Sequence, residues 1–147
     1  MSACTAEAPP QPVAETVSPA QPSLPPRRID YSRSREVSTE ILRWFMQAGY
    51  KRFQAEAMAD HARVESGFHP CISTNSGLRF TYQWGGLRLR RLDAYARAYG
   101  KCPPLDKQLA FADYELRNYP AYACFWAAKN RAEAAAALRR GLGLGRC

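Results

Sequence analysis

Glu65, in the segment Val64-Glu65-Ser66-Gly67-Phe68, is the side chain whose type and setting best suit proton transfer. A carboxylate in the last turn of a helix lies at the negative end of the macrodipole, which disfavours a second negative charge. Partial burial adds a desolvation penalty, and both effects push a carboxyl pKa upward. A carboxylic acid still protonated near neutral pH can donate its proton to a glycosidic oxygen. For an isolated Glu, the commoner reading is a solvated charge at a helix end. His61, four residues earlier, shares the helical face and reads as a packed or hydrogen-bonded neighbour of Glu65, since no third ligand completes a metal site. Further along stand Tyr82, Gln83, Trp84 and Arg88. As alternate residues of a strand, Tyr82 and Trp84 would share one face, either to stack on a ring of a ligand or to plug the core.

The elements that must hold these residues are mostly helical. Ser38 is an N-cap candidate for a first helix in which Ile41, Trp44, Phe45 and Ala48 share a face, stopped by Gly49. A second helix is predicted from about Lys51 to Ser66, with Phe53, Ala57, His61 and Val64 at helical spacing and Gly67 as the break. Residues 67–86 are turn-rich, with a short β segment expected from Leu78 to Trp84. Helices resume with Leu89, Leu92, Tyr95, Ala96 and Tyr99. After Pro103-Pro104, the stripe Leu105, Leu109, Ala112, Leu116 predicts a buried helix face. Pro120 opens another helix carrying Phe125 and Trp126, whose aromatics with Tyr119 and Tyr122 are candidates for the far wall of a cleft. Ala132 to Arg140 is expected as the last helix, before a loop-like tail. Residues 1–35 hold seven of the eleven prolines and few large apolar side chains, so they read as a disordered Pro-rich tail before a domain spanning 36–147.

Glu65-Ser66-Gly67-Phe68-His69-Pro70, then Ser76-Gly77-Leu78 and Tyr82-Gln83-Trp84, resembles the Glu-Ser and Gly-Leu-Gln signature of lysozyme-like enzymes, and most closely the phage tail-associated lysozyme family. Gln83-Trp84-Gly85-Gly86-Leu87-Arg88 is similar to that family's Gln-Trp-x-x-x-Arg. Lys107-Gln108-Leu109 with Glu115-Leu116 resembles its Gln-Leu and Glu-Leu helix. The likeness covers roughly residues 40–118. It implies a mainly α, lysozyme-like domain with a short β or irregular loop after the second helix. It also implies that Glu65 is the catalytic acid, that Ser66 supports it at the substrate-binding site, and that Gln83, Tyr82, Trp84 and Arg88 meet the substrate. Two departures stand out: His69 replaces an Asn, and the compact Gly-Leu-x-Gln is lengthened to Gly77-Leu78-Arg79-Phe80-Thr81-Tyr82-Gln83.

No Asp or Glu occurs from Ser66 to Leu92, the region where many lysozymes keep a second carboxylate. Retaining glycosidases hold a nucleophile about 5–5.5 Å from the acid, and inverting ones hold a base about 6.5–9.5 Å away. A partner here would have to be Asp60, Asp93, Asp113 or Glu115. The alternative uses a single Glu with help from the substrate's own N-acetyl group, as in lytic transglycosylases, which release an anhydro sugar. The sequence favours that route.

Composition leaves the remaining choices open. A hydrophobic share of 46% suits one packed domain, and no apolar run approaches the roughly 18 residues of a membrane span. The start of the chain lacks a basic n-region with an apolar stretch, so no secretion signal is expected. Synthesis in a bacterial cytoplasm followed by action at the cell wall or periplasm would need another delivery route, of which a virion is one. The net charge is +8, and residues 85–147 carry twelve basic against five acidic side chains, which would attract a polyanion. Cys71, Cys102, Cys124 and Cys147 could form two disulfides in three ways or remain free thiols. No cofactor or metal is expected. The expected partner is peptidoglycan, together with phage-tail or prophage-particle proteins. A catalytically inactive wall-binding domain is the second reading. A nucleic-acid-binding module is the third, disfavoured because the presumed recognition helix carries Glu56, Asp60 and Glu65.

Overall fold

The computed structural model describes residues 34–139 of the chain. Most of the Pro-rich segment, Arg140 and the Gly141–Cys147 tail lie outside them. Helix α1 runs from Ser34 to Gln47 and buries Val37, Ile41 and Phe45, one residue per turn. Ser38 therefore sits inside the helix rather than at its cap. Gly49 ends the turn at φ 91°, a left-handed value that costs a glycine little.

Helix α2 spans Arg52–Ser66. Gln54 accepts the Lys51 backbone N–H at 2.9 Å, satisfying one of the orphan donors at the start. The buried face is Ala55, Met58, Ala59 and Ala62 together with Ala57, whereas Val64 is exposed. The predicted stripe through Phe53 and Val64 is thus rotated. The reason is packing on two sides: α2 lies against both α1 and α6, and small alanines let both neighbours approach.

Residues 67–85 form the irregular insertion. The β segment expected from Leu78 to Trp84 is absent, and among the described residues only two isolated bridges occur here, Ser73 with Arg79 and Arg79 with Trp84. Residues 80–83 make a tight turn closed by two hydrogen bonds, Trp84 N–H to Arg79 O at 2.9 Å and Arg79 N–H to Trp84 O at 3.0 Å. Phe80, Thr81, Tyr82, Gln83 and Trp84 are all buried. A strand would have alternated its faces, but this turn pushes five consecutive side chains into the core.

Helix α3 (Gly86–Tyr95) is mostly solvent-exposed and fully buries Leu92 alone. Helix α4 (Leu105–Asn118) carries the predicted stripe Leu105, Leu109, Ala112, Leu116 into the interior, with Gln108, Phe111 and Glu115 beside it. Pro120 opens a 3-10 turn rather than an α-helix, and α5 follows as a short Ala123–Ala127 segment. Helix α6 (Arg131–Arg139) packs on α2 through Ala134, Ala137 and Leu138. A fork of two 2.6 Å hydrogen bonds from Arg131 to Asp60 ties the two helices at the surface. Cys71 and Cys102 form a disulfide with Cα atoms 5.4 Å apart, fastening the insertion to the α3–α4 connection. Cys124 is also disulfide-bonded, and Cys147 lies outside the described residues. The domain is mainly helical, and among the described residues no helix is long and apolar enough to cross a membrane.

Candidate functional site

Helix α2 delivers Glu65 to the mouth of the insertion. Gly67 takes the left-handed conformation (φ 58°); its N–H donates to Arg63 O at 3.0 Å and the Phe68 N–H to Ala62 O at 3.5 Å, the usual way of satisfying the last orphan acceptors of a helix. The Ser66 hydroxyl donates to Ala62 O at 2.9 Å. Ser66 is 4% exposed, so it locks the turn that carries Glu65 and has no surface for a ligand. The Glu65 side chain is 34% exposed, with its Oε1 3.9 Å from His61 Nδ1, too far for a hydrogen bond.

His61 is largely buried. Desolvation first, then the positive charges of Arg88 and Arg139, lower its pKa to about 4. The imidazole is therefore neutral at neutral pH, and its proximity to Glu65 is no ion pair. Its ring stacks on Tyr82, with centroids 5.5 Å apart and planes 16° apart. The Tyr82 hydroxyl donates back to Met58 O on α2 at 3.1 Å. Trp84 meets Tyr82 edge-on, and its indole N–H donates to Glu115 Oε1 at 2.6 Å. Arg88 completes the series with two 2.7 Å hydrogen bonds to the same carboxylate. A continuous line of contacts thus runs from α2 through the 80–83 turn to α4 and α3. His61, Tyr82, Arg88 and Tyr122 border a cavity of about 140 Å³ along it.

Several sequence expectations change here. Tyr82, Trp84 and Arg88 line one cavity with His61, whereas Glu65 does not line it and approaches the group only at His61, 3.9 Å away. Trp84, however, is fully buried and its N–H is committed to Glu115, so it cannot stack on a sugar. Tyr82 is 5% exposed, with His61 stacked on its ring and Trp84 packed edge-on against it, so it offers no open face to a sugar. Gln83 does not line the cavity: it is buried and its amide donates to Phe80 O at 3.0 Å. Of the four C-terminal aromatics, Tyr122 reaches this cavity. Tyr119 accepts a hydrogen bond from Arg91, and Phe125 and Trp126 pack around Tyr50.

The carboxylates differ sharply in their surroundings. Asp60 is held by Arg131, whose hydrogen bonds lower the Asp60 pKa. Asp113 accepts from Tyr50 and Arg117 at 2.6 Å each. Glu115, 1% exposed, is filled by Trp84 and Arg88. Glu65 has no Arg or Lys partner among the described residues. Three of the four candidates for a second carboxylate are thereby engaged in structural pairs, and Asp93 lies on the exposed side of α3.

Gln108, which the sequence singled out only through resemblance, and Glu115, also a candidate second carboxylate, turn out to organise the insertion. Gln108 is fully buried. Its Oε1 accepts from the Thr81 N–H and hydroxyl, and its amide donates to Pro70 O and Pro103 O. Glu115 does the corresponding work for Trp84 and Arg88. Both fall on the face of α4 marked by Leu105, Leu109, Ala112 and Leu116. A polar residue inside an apolar stripe is the signal that finds them. The three non-glycine residues with positive φ among the described residues, Phe68, Phe80 and Gln83, all lie in this insertion. Such conformations persist only where the surroundings over-determine them, and they cluster at functional sites. Among the described residues, no group of three His, Cys, Asp or Glu gathers that could hold a metal.

No protein-family model, curated protein or solved structure matches this chain.

Proposed function

We propose that this chain cleaves the glycan strand of peptidoglycan, with Glu65 as a lone general acid and base. The observation that carries this reading is the contrast among carboxylates. Asp60, Asp113 and Glu115 are held by arginines, while Glu65 stands part-exposed at the mouth of a strained insertion beside a neutral histidine. Its resemblance to the Glu of phage tail-associated lysozymes points the same way.

In this mechanism the Glu65 carboxyl group donates a proton to the glycosidic oxygen, and the C1–O bond breaks with its electron pair going to the leaving sugar. The carbonyl oxygen of the substrate's N-acetyl group bonds to C1 and takes the role of the missing second carboxylate. Glu65, now ionised, removes a proton from the incoming hydroxyl as it displaces that oxygen. Water gives a reducing sugar, and the sugar's own 6-hydroxyl gives an anhydro product. Delivery by a phage tail or prophage particle would suit a chain with a basic C-terminal half, since walls are anionic.

A zymogram on purified peptidoglycan tests the reading. Glu65→Gln is expected to lower activity on the order of 10²–10⁴-fold, the usual contribution of a general acid. Clearing equal to the parent's would remove Glu65 from the chemistry. Binding to sacculi with no soluble muropeptides released by the parent would instead mark a non-catalytic wall binder. Mass analysis of the products separates anhydro from reducing ends.

A further inference from the structure

On the other side of His61 lies a second cavity, of about 290 Å³, between α2 and α6. Its walls include Arg63 from α2 and Arg131 and Arg139 from α6, with Asp60 as the acidic member of the lining. The charges do not cancel. Both Asp60 oxygens are taken by Arg131 Nε and Nη2 at 2.6 Å. Arg63 and Arg139 have no carboxylate within ion-pair distance among the described residues, and both are exposed. Their fields are felt nearby: Arg139 helps keep His61 neutral, and Arg63 helps keep Asp60 ionised. His61 lines this cavity and the one bordered by Tyr82 and Arg88, and Glu65 is one helical turn further along α2.

We propose that the cavity between α2 and α6 is a subsite for a carboxylate of the substrate, bound by Arg63 and Arg139 while Arg131 stays on Asp60. This rests on the peptidoglycan reading and names what the enzyme would recognise beside the cleaved bond. A planar guanidinium matches a carboxylate with two parallel hydrogen bonds, and the two arginines can engage one without breaking an existing pair. Peptidoglycan offers that chemistry in two forms. A muramic acid stripped of peptide bears a free lactyl carboxylate. One bearing a stem peptide has that acid locked in an amide but adds the peptide's own carboxylates.

The test is calorimetric binding on the full chain with Glu65→Gln, which is expected to slow turnover on the order of 10²–10⁴-fold. Three probes are used: the disaccharide with a tripeptide stem, the same disaccharide without peptide, and chitobiose, which has no carboxylate. Arg63→Ala and Arg139→Ala are each expected to weaken an acid-bearing probe about tenfold, the loss of a charge-assisted hydrogen bond. Chitobiose should change less than about twofold. Loss with the tripeptide probe alone assigns the subsite to the stem, and loss with the bare disaccharide alone assigns it to the lactyl group. Unchanged affinity for all three overturns the subsite while leaving the peptidoglycan reading intact. Failure of the parent to bind any of them overturns the reading itself.

Discussion

Gln108 and Thr81, 27 residues apart, are joined through a single oxygen: Gln108 Oε1 accepts both the Thr81 N–H at 3.0 Å and its hydroxyl at 2.7 Å. The amide nitrogen of the same side chain holds Pro70 O and Pro103 O. One buried amide therefore fixes the tip of the 80–83 turn and both strands of chain joined by the Cys71–Cys102 disulfide.

Replacing Gln108 with Leu keeps the volume but strands buried polar groups in the core. At about 1–3 kcal/mol for each unsatisfied group, the expected loss is at least about 3 kcal/mol. Urea unfolding at pH 7 measures it. A loss under about 1 kcal/mol would mean that water replaces the amide and that the turn does not depend on it.

Glu115 holds Trp84 and Arg88 together in the interior. Glu115→Leu leaves the Arg88 charge without its partner, which typically costs about 3–5 kcal/mol. The double variant Glu115→Leu with Arg88→Met should recover much of that loss, because the uncompensated charge is gone. Additive losses in the double variant would show that the pair is not coupled.

His61 makes stability pH-dependent in a definite direction. In the folded chain it takes up a proton only near pH 4, whereas an exposed histidine does so near pH 6.5. Between those values the unfolded chain binds more protons, so stability is fully present above about 6.5 and declines as pH falls towards 4. The separation corresponds to about 3 kcal/mol. His61→Phe preserves the stack on Tyr82 and should flatten the profile over that window relative to the parent. The parent's other nearby charges, Glu65, Asp60, Arg88 and Arg139, remain in both proteins, so parallel profiles would show that His61 is not the group responsible.

The Cys71–Cys102 bridge spans 31 residues of sequence. Chain-entropy reasoning gives a loop of that size about 3–4 kcal/mol of stabilisation. The double variant Cys71→Ser with Cys102→Ser is expected to lose most of that in thermal unfolding, with Cys124 untouched. An unchanged Tm would show that Gln108 alone secures the same chain ends.

The helices were legible because their signals are local. The stripe Leu105, Leu109, Ala112, Leu116 on α4 and the Gly67 stop after α2 repeat within a turn or two of themselves. The α2 face was misjudged because two neighbours, not one, press on it, and that is a fact about α1 and α6. The insertion was misread for a related reason. Leu78 to Trp84 has the residue types of a strand, but its conformation is dictated by Gln108 and Glu115, some thirty positions away. The place of Glu65 in the last turn of α2 is legible from Gly67 alone. The burial of Trp84 and Gln83 is not, because alternation alone cannot tell a sugar platform from a core plug.

The two polar residues on α4 also make the insertion depend on a later part of the chain. Helices α1 and α2 are contiguous and can pair as soon as they are made. The insertion that follows cannot settle, because the groups that hold its turn come from residues 108 and 115. A chain growing from its N-terminus would thus carry Glu65 on a helix covered by α1 alone, its α6 side still bare, beside a loop that is not held until α4 arrives. Any capacity for chemistry at Glu65 would switch on late, once nearly the whole domain exists.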